Sequence, residues 1–185
     1  MENRFNKLQD VIDAKILNER KVFLWGQVDD HSAKQVIDRL LYLELMQPGK
    51  EIQLIINSPG GAVTSGFAIY DTMKSITSPI STICSGLAAS MGSILLSAGE
   101  KGRRFILPHA RVMIHQPSGG AGGSASDLLI QMDEVLKTRK LGAEILANNC
   151  GKSIEQILQD SNRDYWMSAE EAVLYGIVDG KLDRI

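Results

Sequence analysis

Ser90 stands in SGLAASMGSILLSAG (85–99), a run made almost entirely of small and apolar residues. A serine there has two readings. It is a small helix-start residue that tolerates close packing, or it is a nucleophile held at the first turn of a buried helix. In the second reading its Oγ lies at the positive end of the helix, where a developing oxyanion is favoured. Gly86, Ala88, Ala89 and Gly92 would then leave room for a substrate. This is not the Gly-x-Ser-x-Gly elbow, because Ala88 and Gly92 flank the serine. Of the three histidines, His115 ends the apolar stretch RVMIH (111–115) and precedes Gln-Pro. Strand ends in α/β folds are where functional side chains gather, so His115 is either a general base or a satisfied histidine at a strand edge. His31 opens a polar helix and His109 follows Pro108 in a turn; both read as structural or exposed. Ser-Pro-Gly-Gly at 58–61 follows a strand. It is either an ordinary turn or a place where backbone N–H groups approach a ligand and meet an oxyanion. Asp127, Asp160, Asp164 and Asp179 could each orient a histidine, and spacing does not choose among them.

The elements that would position these groups alternate along the chain. Residues 8–19 suit an amphipathic helix with Leu8, Val11, Ile12 and Ile16 on one stripe. A β-rich stretch follows at 21–28, then a helical pattern at 32–46 that Pro48-Gly49 ends. Strand 52–57, helix 64–76 capped by Thr64 or Ser65, strand 80–86 and a short apolar helix at 90–98 come next. Strands are expected at 103–108 and 110–116, and a flexible Gly-rich link at 118–126. A long helix covers 127–149, with Leu128, Leu129, Met132, Val135, Leu136, Leu141 and Ile145 on its apolar stripe. Short helices at 153–158 and 169–175 follow, the second stopped by Gly176. Such alternation predicts an α/β fold of repeated βαβ units in a single domain over 1–185.

Composition narrows the function classes. The net charge of −2 offers no basic stripe for nucleic acid and no polybasic cluster for a lipid surface. No apolar stretch approaches the roughly 20 residues that span a bilayer, and the polar start MENRFNKLQDVID contains no signal-peptide core. Cys84 and Cys150 are too few for a disulfide framework or a zinc site and read as reduced packing residues. A soluble, cytoplasmic protein is expected.

Taken together, INSPGG (56–61), GLAASMGS (86–93), RRFILPHARVMIHQP (103–117) and RDYWMSAEEAVLYGIVDG (163–180) resemble the ClpP family of caseinolytic serine peptidases, in order and spacing from about residue 20 to 182. The resemblance implies a crotonase-like fold with a handle, formed by a strand and a long helix at 118–149. It implies Ser90 as nucleophile, His115 as general base and Asp164 as the orienting acid. Gly61 and Met91 match the two positions whose N–H groups form the oxyanion hole. The implied activity is hydrolysis of peptide bonds in unfolded proteins through an acyl-enzyme. It takes place inside a chamber enclosed by a double heptameric ring, a tetradecamer. The glycines at 119–123 would suit a substrate lying alongside as an added strand. The implied partner is an AAA+ unfoldase such as ClpX, ClpA or ClpC. That partner uses the ATP, since this chain has no P-loop; no metal or organic cofactor is called for.

Three features depart from the family pattern. The N-terminal segment ahead of the first helix is short, as in second-copy members that occur beside a more typical ClpP paralogue. Gln53, Ser75 and Ser85 stand where large apolar side chains commonly receive the ATPase, which implies weak docking and a paralogue subunit in a mixed, hetero-oligomeric ring. Asn162 replaces an acid before Arg163, which implies a weaker contact between rings. Two further readings compete: a ring subunit that is structural or weakly active without its paralogue, and an acyl-CoA enzyme of the crotonase superfamily.

Overall fold

The computed structural model describes residues 2–118 and 122–184. Helix α1 (Glu2–Asn18) leads into strand β1 (Lys21–Trp25), helix α2 (Asp30–Met46) and strand β2 (Ile52–Ser58). Helix α3 (Val63–Ser75), strand β3 (Ile80–Ala89) and helix α4 (Met91–Ser97) follow. Strands β4 (Arg104–Ile106) and β5 (Arg111–Ile114) precede the long helix α5 (Ala125–Cys150). The chain closes with α6 (Ile154–Asp160), β6 (Tyr165–Met167), α7 (Ala169–Tyr175) and β7 (Gly180–Lys181). The α/β class with repeated βαβ units is as the sequence implied.

Strands β1, β2 and β3 run parallel and in that order. Buried on both faces, β2 reads as a near-continuous apolar run, with Ile52, Leu54, Ile55 and Ile56 all inside. Strand β3 then divides its partners. Residues 82–84 pair with β4, and residues 87–89 pair with β5. Gly86, at φ +100°, sits at this divide. A Cβ there would come within 2.8 Å of Asn57 Oδ1, and that same oxygen accepts the Leu87 N–H at 3.1 Å. The β2–β3 register shifts at the same level, between Ile56 and Ser58. The sheet therefore bends just before the Ser90 segment. One hydrophobic core backs it, built from residues such as Leu24, Leu40, Ile56, Ile69, Leu95 and Ile106. Each such side chain contributes about 1.5–3 kcal/mol on burial.

Helix ends carry their own closures. Asp29 and Ser32 form a reciprocal capping box on α2, and Ser124 with Asp127 forms another on α5. Helix α2 has no basic residue in its last turn. Buried Arg20 supplies the charge from outside, donating to the carbonyls of Leu43 at 3.0 Å and Lys50 at 2.8 Å.

Several expectations need correcting. The first helix starts at residue 2, not 8, and β3 runs to Ala89, not Gly86. Helix α3 begins at Val63 with Ala62 as its cap and no side-chain bond there, so neither Thr64 nor Ser65 caps it. The Ala62 N–H is held by the Val28 carbonyl at 2.7 Å, which fixes the entry to the helix. Ser65 instead donates to Asp30 Oδ1 at 2.6 Å. Strands β6 and β7 lie in stretches read as loop, being only three and two residues long. Residues 119–121 of the expected handle's strand half, including two of the four glycines proposed for strand addition, lie outside the described residues, while Gly122 and Gly123 lie in a bend ahead of α5 and in no strand. The apolar stripe of α5 is real as a pattern but does not cover this chain's own core. Leu129 and Met132 are more than half exposed, and only Ala143, Leu146 and Ala147 of α5 are buried.

Candidate active site

The bend in β3 delivers Ser90. The Ser90 N–H donates to the Met113 carbonyl at 2.9 Å, so the serine is still tied to β5 as it leaves the sheet. It then takes φ +54° and ψ −124°, and α4 starts with the next residue. A non-glycine residue in that region stores about 1–3 kcal/mol of strain and persists only where its surroundings over-determine it. The surroundings here are tight. A Cβ on Gly60 would lie 2.6 Å from Ser90 Cβ and 2.9 Å from Met91 N, so only glycine fits beside the serine.

The Pro-Gly-Gly turn is pinned against β1's extension. Val28 donates to the Gly60 carbonyl at 2.8 Å and accepts the Ala62 N–H at 2.7 Å. This parallel bridge uses the groups on either side of Gly61 and leaves the Gly61 N–H out. Met91 is the first residue of α4, so its N–H has no carbonyl within the helix. Both amides are free donors among the described residues.

His115 follows the last residue of β5. Its Nε2 is 2.9 Å from Ser90 Oγ, and its Nδ1 is 3.2 Å from Asp164 Oδ1. Strand β6 sets the second contact. It runs antiparallel to β5 with Ile114 opposite Tyr165, which brings the preceding Asp164 level with His115. The segment before it is anchored too: Gln116 donates from its backbone to the Ser161 carbonyl and from its side chain to the Asn162 carbonyl.

The four candidate acids are thereby separated. Asp127 caps α5, Asp160 accepts from the Tyr175 hydroxyl at 2.8 Å, and Asp179 forms a partly buried pair with Arg104 at 2.6 Å. Only Asp164 reaches a histidine ring among the described residues. His31 lies near Gln35 on α2, and His109 sits in the turn between β4 and β5, both away from Ser90. The thiols do not compete as nucleophiles: burial pushes Cys84 up to about 12 and Cys150 up to about 11. Among the described residues no cluster of acidic, cysteine and histidine side chains is arranged to hold a metal ion. No described helix is long and apolar enough to cross a membrane.

A hydroxyl hydrogen-bonded to an imidazole, itself paired with a carboxylate and flanked by two free amides, can add to a carbonyl and stabilise the resulting oxyanion. An apolar cavity opens directly beside Ser90, walled by Phe67, Met91, Ile94 and Leu146 among others. Sequence reasoning missed the supporting residues Gly60 and Val28. The double glycine was a signal for close approach, but nothing local pointed to Val28 as its clamp.

The family model described as Clp protease matches residues 3–184. The ATP-dependent Clp protease proteolytic subunit of Porphyromonas gingivalis is 48% identical over 183 residues, which span 99% of this chain and 82% of that relative. This chain belongs to the Clp protease family and is a proteolytic subunit of the serine endopeptidase type.

Proposed function

We propose that Ser90 is the nucleophile, His115 the general base and Asp164 the acid that orients it, in an inward-facing site that cuts unfolded polypeptides. The observation that carries this reading is the chain of two contacts from Ser90 Oγ through both ring nitrogens of His115 to Asp164. His115 Nε2 accepts the Ser90 proton as Oγ bonds to the peptide carbonyl carbon. Asp164 accepts from Nδ1–H, fixes the tautomer and stabilises the imidazolium. The Gly61 and Met91 N–H groups meet the oxyanion. The imidazolium then protonates the departing amine as the C–N bond breaks, leaving an acyl-Ser90. Water, deprotonated by His115, releases the acid and restores the serine. Treatment with a fluorophosphonate tests the assignment. One adduct is expected on Ser90 by intact-mass and peptide mapping, and none in Ser90→Ala; labelling elsewhere or none at all in the parent contradicts it.

This reading extends to assembly with ATP-dependent unfoldases in the cytoplasm, in stacked rings. The uncovered apolar faces of α1 (Leu8, Val11) and α5 (Leu129, Met132) support an oligomer, because contiguous exposed apolar surface marks an interface. Weak docking of the unfoldase is part of the proposal. Gln53 and Ser85 are half-buried polar residues, and the Ser75 hydroxyl is committed to the Thr72 carbonyl at 3.0 Å. A paralogue subunit supplying the docking surface follows from this. Tight ATPase binding by the pure homo-oligomer would overturn it.

A further inference from the structure

Ser58, the last residue of β2, is fully buried. A strand buried on both faces ordinarily carries an apolar residue at such a position, and a buried hydroxyl needs a partner. The turn that follows supplies it. Ser58 Oγ accepts the Gly60 N–H at 3.1 Å, two residues on. Pro59 between them has no N–H, so the hydroxyl oxygen serves Gly60 without competition from its neighbour.

This bond bears on the peptide that carries the Gly61 N–H. In a trans peptide the Gly60 carbonyl and the Gly61 N–H point in opposite directions. Val28 holds that carbonyl at 2.8 Å, so the Gly61 N–H is turned away from Val28. What remains is rotation about Gly60 itself, which sits at φ +89° and, as glycine, is the residue least restrained by its own side chain. With its N–H on Ser58 and its carbonyl on Val28, Gly60 is held on both sides. Without the Ser58 hydroxyl, the Gly60 N–H has no bond among the described residues.

Ser58 meets the second oxyanion donor as well. Its backbone is in register with Ala88 of β3, so the hydroxyl hangs from a sheet strand and not from a loop. A Cβ on Gly92 would lie 3.1 Å from the Ser58 carbonyl oxygen and 3.4 Å from Ser58 Cβ. The first turn of α4, which carries the Met91 N–H, is therefore seated against the same residue. We infer that Ser58 is a positioning residue for the oxyanion hole: it fixes Gly60 so that the Gly61 N–H stays aimed beside the Met91 N–H. This inference rests on the reading of Ser90 as the nucleophile and of those two amides as its oxyanion donors.

The test is steady-state hydrolysis of a short fluorogenic peptide by the purified oligomer, with kcat expressed per serine titrated to completion by a fluorophosphonate. Ser58→Ala is expected to lower kcat about tenfold and to leave KM little changed, because the lost bond matters when the oxyanion forms. A peptide boronate, whose adduct on Ser90 puts an oxygen in the same place, should bind more weakly by a similar factor. Ser58→Cys, whose sulfur is only a weak acceptor, gives the same readout if the alanine variant does not assemble. In Gly61→Ala the donor is already displaced, so adding Ser58→Ala should change kcat less than threefold. A Ser58→Ala kcat within threefold of the parent, or a further loss above threefold in the Gly61→Ala background, overturns the inference alone. No Ser90-dependent cleavage by the parent overturns the catalytic reading and the inference together.

Discussion

Gly61→Ala tests how the Pro-Gly-Gly turn contributes to catalysis. A Cβ at residue 61 would lie 2.1 Å from the Val28 carbonyl oxygen and 2.9 Å from the Val28 nitrogen. Both are backbone atoms, so no rotamer change relieves the clash. An ordinary carbon–oxygen contact is near 3.3 Å, so the turn must retreat by about 1.2 Å. The residue also holds φ +151°, where a side chain is strained at about 1–3 kcal/mol. Catalytic donors tolerate displacements of about 0.5 Å, and losing one oxyanion donor costs about 10²–10³ in rate. Steady-state hydrolysis of a short peptide should therefore show kcat lower by about 10²–10³ with KM little changed. Gly49→Ala is the control. Gly49 is also left-handed, at φ +76°, but a Cβ there has nothing within 4 Å. It should lose about 1 kcal/mol of stability and no activity. A folded, assembled Gly61→Ala protein with kcat within threefold of the parent would refute the oxyanion role of that amide.

Three other outcomes follow from the same geometry. Asp164→Asn, which keeps the shape but withdraws the charge facing His115, should lower kcat by at least about 10²; a loss below fivefold would remove Asp164 from the proposed triad. Hydrogen bonds from the side chains of Ser78 and Thr77 and from their backbone N–H groups hold Glu44 well below the usual 4.5, at about 2. Because the folded value is the lower one, ionised Glu44 stabilises the fold above about pH 4.5, and that contribution is lost as pH falls toward 2. Thermal melts between pH 5 and pH 2.5 should thus decline less steeply in Glu44→Gln than in the parent, and equal slopes would contradict this. Asn162 leaves Arg163 with no ion pair among the described residues, so stacked rings of this chain alone should dissociate on dilution. Double rings that persist at nanomolar concentration by light scattering would refute it.

Local pattern carried much of the architecture, and its failures have physical causes. The helical stripe of α5 was legible because 3.6-residue periodicity survives whatever the stripe covers; what it covers was not, since Leu129 and Met132 face away from the chain's core. Strand β6 was missed because three residues give no period to count. It is nevertheless the element whose antiparallel register brings Asp164 level with His115. The choice among Asp127, Asp160, Asp164 and Asp179 was beyond composition for the same reason: it depends on a pairing 49 residues apart. Ser90 was visible as a polar residue in an apolar run, but its positive φ was not, because serine does not announce that conformation as glycine does.

Hydrolysis of a short fluorogenic peptide by the purified chain, with Ser90→Ala alongside, bears most directly on the central claim. Turnover that vanishes in Ser90→Ala is the expected result, with an acyl-Ser90 species trapped on rapid acid quench. Turnover that survives in a folded Ser90→Ala protein would contradict the assignment of Ser90 as the nucleophile.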